Sequence, residues 1–330
     1  MLLGSLEATL FIPFFRRLVI RELRNLGESQ VEIARALGIT QAAVSKVLRS
    51  GRMGSNSKPP PPPSGLEVSA QELHLVAKKV AKLIQAGELN EAGFLANRYW
   101  LLLAASGDAC RAHEKLGWRR SECHICTKMV YPELDISRGL VLADIERALI
   151  ILSASDSFPE LIPEVLTNIA VAIPGARNLY DIAAIPGRIS KTRSGELLYR
   201  KPEFGASKHL GGILLSIEGK YRAVMNIKYN RAVREAMLAL GVVFREFSSV
   251  EYPSSNPAAL AARQLFNECP ACTALVDSGG EHVEPVVYLF GNKAVEVANL
   301  AVNLSEVYYA VSRKLGGKLE EGVRLAARFP

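Results

Sequence analysis

QVEIARALGITQAAVSKVL, residues 30–48, decides how the start of this chain folds. It reads as two short helices around a tight turn. Ala34 is small, so the helices can cross closely. Gly38 follows Leu37 where the backbone must enter the left-handed region, which glycine tolerates best. Ile39, Val44 and Val47 are the apolar residues that would pin the second helix to the first. Thr40 stands where an N-cap is wanted. The second helix would then present Thr40, Gln41, Ala42, Ser45, Lys46 and Arg49 outward, residue types that suit base edges and phosphates. This is a complete helix-turn-helix pattern, and double-stranded DNA is the expected partner.

The flanking sequence agrees. Pro13 suits the opening turn of a preceding helix over Pro13–Leu26, where Phe15, Val19, Leu23 and Leu26 recur at helical spacing. Residues 1–58 hold nine Lys/Arg against four Asp/Glu, a net of +5, whereas the other 272 carry 31 against 29, a net of +2. Most of the formal +7 therefore falls on the first segment, as expected where phosphates are met.

A chain of 330 residues exceeds one typical core. With 49% hydrophobic and 22% charged residues and a mean hydropathy of +0.12, it reads as globular. No apolar run is long enough for a bilayer, and MLLGSLEATLFIPFF lacks the basic n-region of a signal peptide. A cytoplasmic protein without membrane contact is expected. GRMGSNSKPPPPPSG (51–65) breaks both helix and strand; its five prolines would extend roughly 15 Å as polyproline II. The expected division is a helix-turn-helix domain at 1–52, a proline-rich linker at 53–65, a helical connector at 66–156 that joins two subunits of a homodimer, a ligand-binding domain at 157–314, and a loose tail at 315–330.

The connector carries helices over Ala70–Ala86, Glu91–Ala105 and about Leu140–Leu152. From residue 157 short β-rich runs (169–174, 222–229, 241–247, 273–278, 283–290) alternate with helical segments at Gly205–Ile217, Asn230–Leu240, Pro257–Asn267 and Lys293–Lys314. That order predicts an α/β domain.

Four blocks in the second half carry a resemblance: PEVLTNIAVAIPGARNLYDIAAIPGRI (163–189), KPEFGASKHL (201–210), MNIKY (225–229) and VDSGGEHVEPVVYLFG (276–291). In this order they resemble the archaeal-type thiamine-phosphate synthase, or ThiN, domain. The resemblance implies an aldolase-like, three-layer α/β/α fold. It also implies an activity that joins a pyrimidine diphosphate to a thiazole phosphate with release of pyrophosphate. Such chemistry needs cations for phosphates and leaving group. Arg188 in PGRI and His209 in GASKHL match the family's functional arginine and histidine, and so stand as the catalytic or ligand-binding pair. Gly205, Ala206, Ser207 and Lys208 lead into the helix bearing His209, and their N–H groups could meet an anion. Asn226, Asp277 and Glu284 complete the implied ligand-binding set. No cofactor is required by these residues, and Mg2+ could accompany turnover if the domain is catalytic.

Gly211, Gly212 and Gly219 are poor helix residues after His209, and His282 stands where the family carries glycine. These departures favour binding over turnover. The leading expectation is a regulator, a repressor of thiamine biosynthesis genes resembling the thiamine-responsive transcriptional regulators. It would sense thiamine phosphate or thiamine diphosphate. The alternative is an active thiamine-phosphate synthase. A third reading rests on cysteine. Cys123 and Cys126 form one CxxC pair that could hold zinc or act in redox sensing, and Cys269 and Cys272 form another. The pairs fall in different predicted domains; reduced structural thiols are the expectation in a cytoplasm, with a disulfide within each pair as the alternative if the source is a hyperthermophile.

Overall fold

The computed structural model describes residues 4–50, 60–114, 117–119, 122–252, 254–280 and 283–326, with Ser5 and residues 313–326 described by backbone alone. Residues 53–59 of the expected linker, and His282, lie outside the described residues. The chain divides into two compact units, Met1–Ala154 and Ser155–Pro330. Among the described residues no helix is long and apolar enough to cross a membrane.

The first unit is all helical. α1 (Gly4–Leu6) passes through a π-helical segment, Glu7–Phe11, into α2 (Ile12–Asn25). Then come α3 (Gln30–Ala36), α4 (Gln41–Arg49), α5 (Ala70–Gln85), α6 (Leu89–Ala105), α7 (Cys110–Glu114), α8 (Ile125–Val130) and α9 (Ile136–Ala154). α3 opens with a capping box: Ser29 Oγ accepts Glu32 N–H at 3.2 Å and Glu32 accepts Ser29 N–H at 2.8 Å. Gly38 sits at φ +63, and Ile39 N–H closes back on the Ala34 carbonyl at 3.0 Å. Thr40 caps α4 by accepting Ala43 N–H at 3.2 Å. Val44 is fully buried, and so is Ile33 opposite it. Thr40, Gln41, Ala42, Lys46 and Arg49 are exposed and Ser45 is half-buried, so the expected outward face of α4 is outward.

The expected division at the proline run is not what forms. Helices on both sides of it share one core, with Phe15, Val19 and Leu23 of α2 packed among Leu73, Val76 and Val80 of α5. The reason is area. α2 carries a wider apolar stripe than α3 and α4 can cover, and burying each such side chain is worth about 1.5–3 kcal/mol. Phe11 extends the same core by stacking on Phe15 (5.0 Å) and on Trp100 of α6 (4.8 Å). The core also contains an ion cluster. Arg147 of α9 donates Nε to Glu72 Oε1 at 2.7 Å and Nη2 to Glu72 Oε2 at 3.0 Å, and pairs with Asp108. Tyr99 OH donates to Glu72 at 2.7 Å.

The second unit is built on a seven-stranded sheet. Its elements are β1 (Ile169–Ala172), β2 (Ile182–Ala184), a separate hairpin of β3 (Ser190–Lys191) and β4 (Leu197–Leu198), β5 (Glu203–Phe204), α10 (Lys208–Ser216), β6 (Ala223–Lys228), α11 (Arg231–Ala239), β7 (Phe244–Phe247), α12 (Pro257–Glu268), β8 (Ala274–Asp277), β9 (Val286–Gly291) and α13 (Ala294–Ala326). Strand order is β5-β2-β1-β6-β9-β8-β7. Only the β7–β8 pair in this sheet is parallel, and α12 makes its crossover. Ala170, Val224, Leu275, Tyr288 and Phe290 face the core formed with α10 and α12. The alternate residues Ile169, Met225, Val287 and Leu289 are equally buried, and α13 packs on β6 and β9 and against α11. The result is an α/β domain with a mixed sheet between helices, preceded by an all-helical region.

Two differences matter. β2 and β5 join the sheet without carrying a strand signal of their own; three and two residues are too few for a period to show. The helix expected to end at Lys314 continues to Ala326 as backbone, where a tail was expected from residue 315. Residues 315–326 hold seven Leu, Glu, Lys and Ala, strong helix formers, against three glycines, Gly316, Gly317 and Gly322.

Candidate functional site

Four polar residues gather at one end of the sheet. Asn168 precedes β1, Asn226 lies within β6, Asp277 ends β8, and Tyr288 lies early in β9. With the N-terminus of α10 they enclose a cavity of about 320 Å3. Of the sequence-predicted residues, Arg188, Ser207, His209, Asn226, Asp277 and Glu284 line it together. Gly205, Ala206 and Lys208 do not. The N–H of Gly205 is taken by the Ile182 carbonyl at 2.9 Å, so that group is not offered to an anion as expected.

α10 forms despite its glycines, and their role is close approach. A Cβ on Gly211 would stand 2.7 Å from Leu179 Cδ2, and one on Gly212 would stand 2.7 Å from Asn256 Nδ2. Asn256, the N-cap of α12, donates that amide to the His209 carbonyl at 2.8 Å. Ser207 caps α10 by accepting Leu210 N–H at 3.3 Å.

His209 keeps one face open to solvent while its Nε2 lies 2.9 Å from Tyr288 OH. Burial by the surrounding walls, then the Arg188 charge, lowers its pKa, and Asp277 opposes the shift only partly. Burial, then Asp277, raises that of Tyr288. Both groups are therefore neutral at pH 7, able to exchange a hydrogen bond but carrying no charge. The folded state holds the His209 proton less well than the unfolded chain does. Its contribution to stability is thus complete above the ordinary histidine value near 6.5 and declines as pH falls through it. His209→Gln is expected to flatten this part of the stability profile, as read by urea midpoints between pH 5 and 8; an unchanged slope would contradict the neutral assignment.

Arg188 has a backbone φ of +69, and its guanidinium donates to the Val165 carbonyl. Asp277 is 3% exposed; its Oδ1 accepts Ser249 N–H (3.1 Å) and Gly279 N–H (2.9 Å), and its Oδ2 accepts the Ser249 hydroxyl. Glu284 accepts two backbone N–H groups, from Glu164 and Val165. Asn226 accepts Asn168 N–H at 2.8 Å and donates to the Leu166 carbonyl at 2.9 Å. Asn168 in turn binds Ile185 N–H at 3.1 Å and its carbonyl at 2.9 Å. Asn168, Ser249 and Tyr288 line the cavity as well, outside the set that the resemblance implies. The strand alternation Val286, Tyr288, Phe290 is the signal that could have found the tyrosine.

The donor set does not suit a protein-held Mg2+. Both carboxylates already accept protein hydrogen bonds on both oxygens, and no trio of His, Cys, Asp or Glu among the described residues could hold a metal. Burial, then the neighbouring Cys110 and Cys123, pushes the Cys126 thiol up to about 11. Cys269 and Cys272 are joined in a disulfide, not reduced as expected; they are the only one of the two pairs that is bonded.

Comparison with known proteins bears on residues 144–303, which match the family model "Thiamine-phosphate synthase ThiN". Thiamine-phosphate synthase ThiN of Methanothermobacter thermautotrophicus is 28% identical over 178 residues, covering 51% of this chain and 93% of that protein. The bifunctional thiamine biosynthesis protein ThiDN of Methanocaldococcus jannaschii is 32% identical over 155 residues, covering 45% of this chain and 37% of that one. Among solved structures, the C-terminal domain of phosphomethylpyrimidine kinase covers 51% of this chain and 97% of its own, at 23% identity and a TM-score of 0.44. The match begins inside α9 and ends inside α13, so it takes in the sheet and every cavity-lining residue: the C-terminal half of this chain carries a ThiN domain.

Proposed function

We propose that the cavity binds thiamine phosphate or thiamine diphosphate and that α4 reads double-stranded DNA, making the chain a thiamine-responsive transcription regulator. The observation that carries this reading is the capped helix pair α3–α4, with Gln41, Ala42, Lys46 and Arg49 exposed on the second helix. The cavity supports a binding role. Among the described residues Arg188 is the one Lys or Arg that lines it, beside a neutral His209, whereas a diphosphate leaving group calls for fixed positive charge. Repression, a homodimer and a cytoplasmic location complete the reading. Dimeric readers of this kind set their two recognition helices about 34 Å apart on the duplex.

Gln41→Ala is expected to reduce discrimination between a selected duplex and random DNA. A bidentate base contact is worth roughly 1–3 kcal/mol. Arg49→Ala is expected to weaken both duplexes alike and to lower the salt slope by about one. Fluorescence anisotropy at two salt concentrations measures both; identical behaviour of the two variants means that α4 does not enter the groove.

The second reading is an active thiamine-phosphate synthase. The names of the relatives point to it more directly than to a DNA-binding role, and Arg188 and His209 stand in one cavity as that reading requires. Incubation with the pyrimidine diphosphate and the thiazole phosphate, followed by pyrophosphate assay, decides. Turnover lost in His209→Ala establishes the synthase; none in the wild type leaves the regulator.

A further inference from the structure

Glu284 occupies a place that suits an incoming anion. Its carboxylate accepts the N–H of Glu164 at 3.0 Å and the N–H of Val165 at 2.9 Å. Two successive backbone N–H groups converging on one acceptor form a concavity for negative charge. The turn that offers them is closed by Leu166 N–H to the Pro163 carbonyl at 3.0 Å. It is held from behind, where Asn226 donates to the Leu166 carbonyl at 2.9 Å and Arg188 donates to that of Val165. Leu166 itself sits at φ +65. Val165, Leu166, Arg188 and Glu284 all line the cavity. The carboxylate thus supplies, from within the chain, the charge that a phosphate ester would bring, in the cavity that the Arg188 guanidinium also lines.

We propose that the N–H pair of Glu164 and Val165 is a phosphate seat and that Glu284 is its internal competitor. Ligand binding exchanges carboxylate for phosphate, and Arg188 turns from the Val165 carbonyl to the incoming oxygens. Release of Glu284 frees the segment that leads into β9, so occupancy of the seat is reported to the sheet. The inference rests on the reading that the cavity takes a thiamine phosphate.

It reverses the usual sign of a binding-site substitution. If Glu284 were a direct ligand or only a cap for the turn, removing its charge would weaken binding. If it competes, removal strengthens binding. Isothermal titration of the full chain with inorganic phosphate, thiamine monophosphate and unphosphorylated thiamine is expected to show Glu284→Gln binding both phosphates about tenfold tighter, as for loss of one like charge in a partly screened cleft. Thiamine itself should be unaffected. Unchanged or weaker binding of the two phosphates overturns the proposal. Should the variant melt early, the wild type still decides: the amide resonances of Glu164 and Val165 must move on phosphate addition, and their stillness at saturation overturns it too. Tighter phosphate binding with no preference for the thiamine ester would uphold the seat and sink the thiamine reading.

Discussion

Arg147→Ala is expected to destabilise the helical unit by about 3–5 kcal/mol, because it leaves Glu72 and Asp108 charged, buried and without their partner. All three side chains are 1% exposed. Their attraction offsets a large desolvation cost only while the geometry is complete, with Tyr99 OH completing the shell around Glu72. The cluster ties α9 to α5, and α5 packs along α2, so the loss should reach the helices that precede α3 and α4. Guanidinium unfolding followed by far-UV circular dichroism measures it. Arg119→Ala, which removes a pair with the exposed Glu122, is the control and should leave the midpoint in place. Equal midpoints for the two variants would show that the buried cluster does not hold the unit together.

Arg188→Ala is expected to weaken thiamine monophosphate binding roughly 10- to 100-fold, the worth of a hydrogen bond to a charged group at about 1.5–3 kcal/mol. A guanidinium can present two parallel donors to phosphate oxygens, and Arg188 is held at the cavity wall by the Val165 carbonyl. Lys208→Ala tests whether position or mere charge matters. Lys208 is exposed and outside the cavity lining, so its removal should change affinity far less. Comparable losses from both variants would mean that the ligand sits at the start of α10 rather than against Arg188.

Much of this architecture was legible in the sequence because its signals are local. Gly38, Thr40 and Val44 specify a turn, a cap and a buried face within a few residues. The strands around 169–172, 223–228 and 286–291 announced themselves as apolar runs between turn residues. What stayed hidden depends on contacts distant in sequence. The junction of α2 with α5 crosses the proline run and turns two expected domains into one core. The Arg147 cluster joins residues 39 and 75 positions apart, and a lone arginine in an apolar helix gives no sign of its partners. In the cavity, the family motif led to Arg188 and His209, but motif alone could not show that Gly205 N–H is already bonded, that Gly211 and Gly212 let Leu179 and Asn256 close on α10, or that Glu284 spends its charge on the backbone of residues 164 and 165.

The most direct measurement of the central claim is DNA affinity of the full chain across a saturating titration of thiamine monophosphate and thiamine diphosphate, with thiamine as control. Two sites that share one conformational equilibrium must influence each other, by a coupling of about 1–3 kcal/mol or 5- to 150-fold in affinity. The account predicts a shift of that size for at least one phosphate ester, lost in Arg188→Ala. A DNA affinity indifferent to both esters at saturation would contradict it.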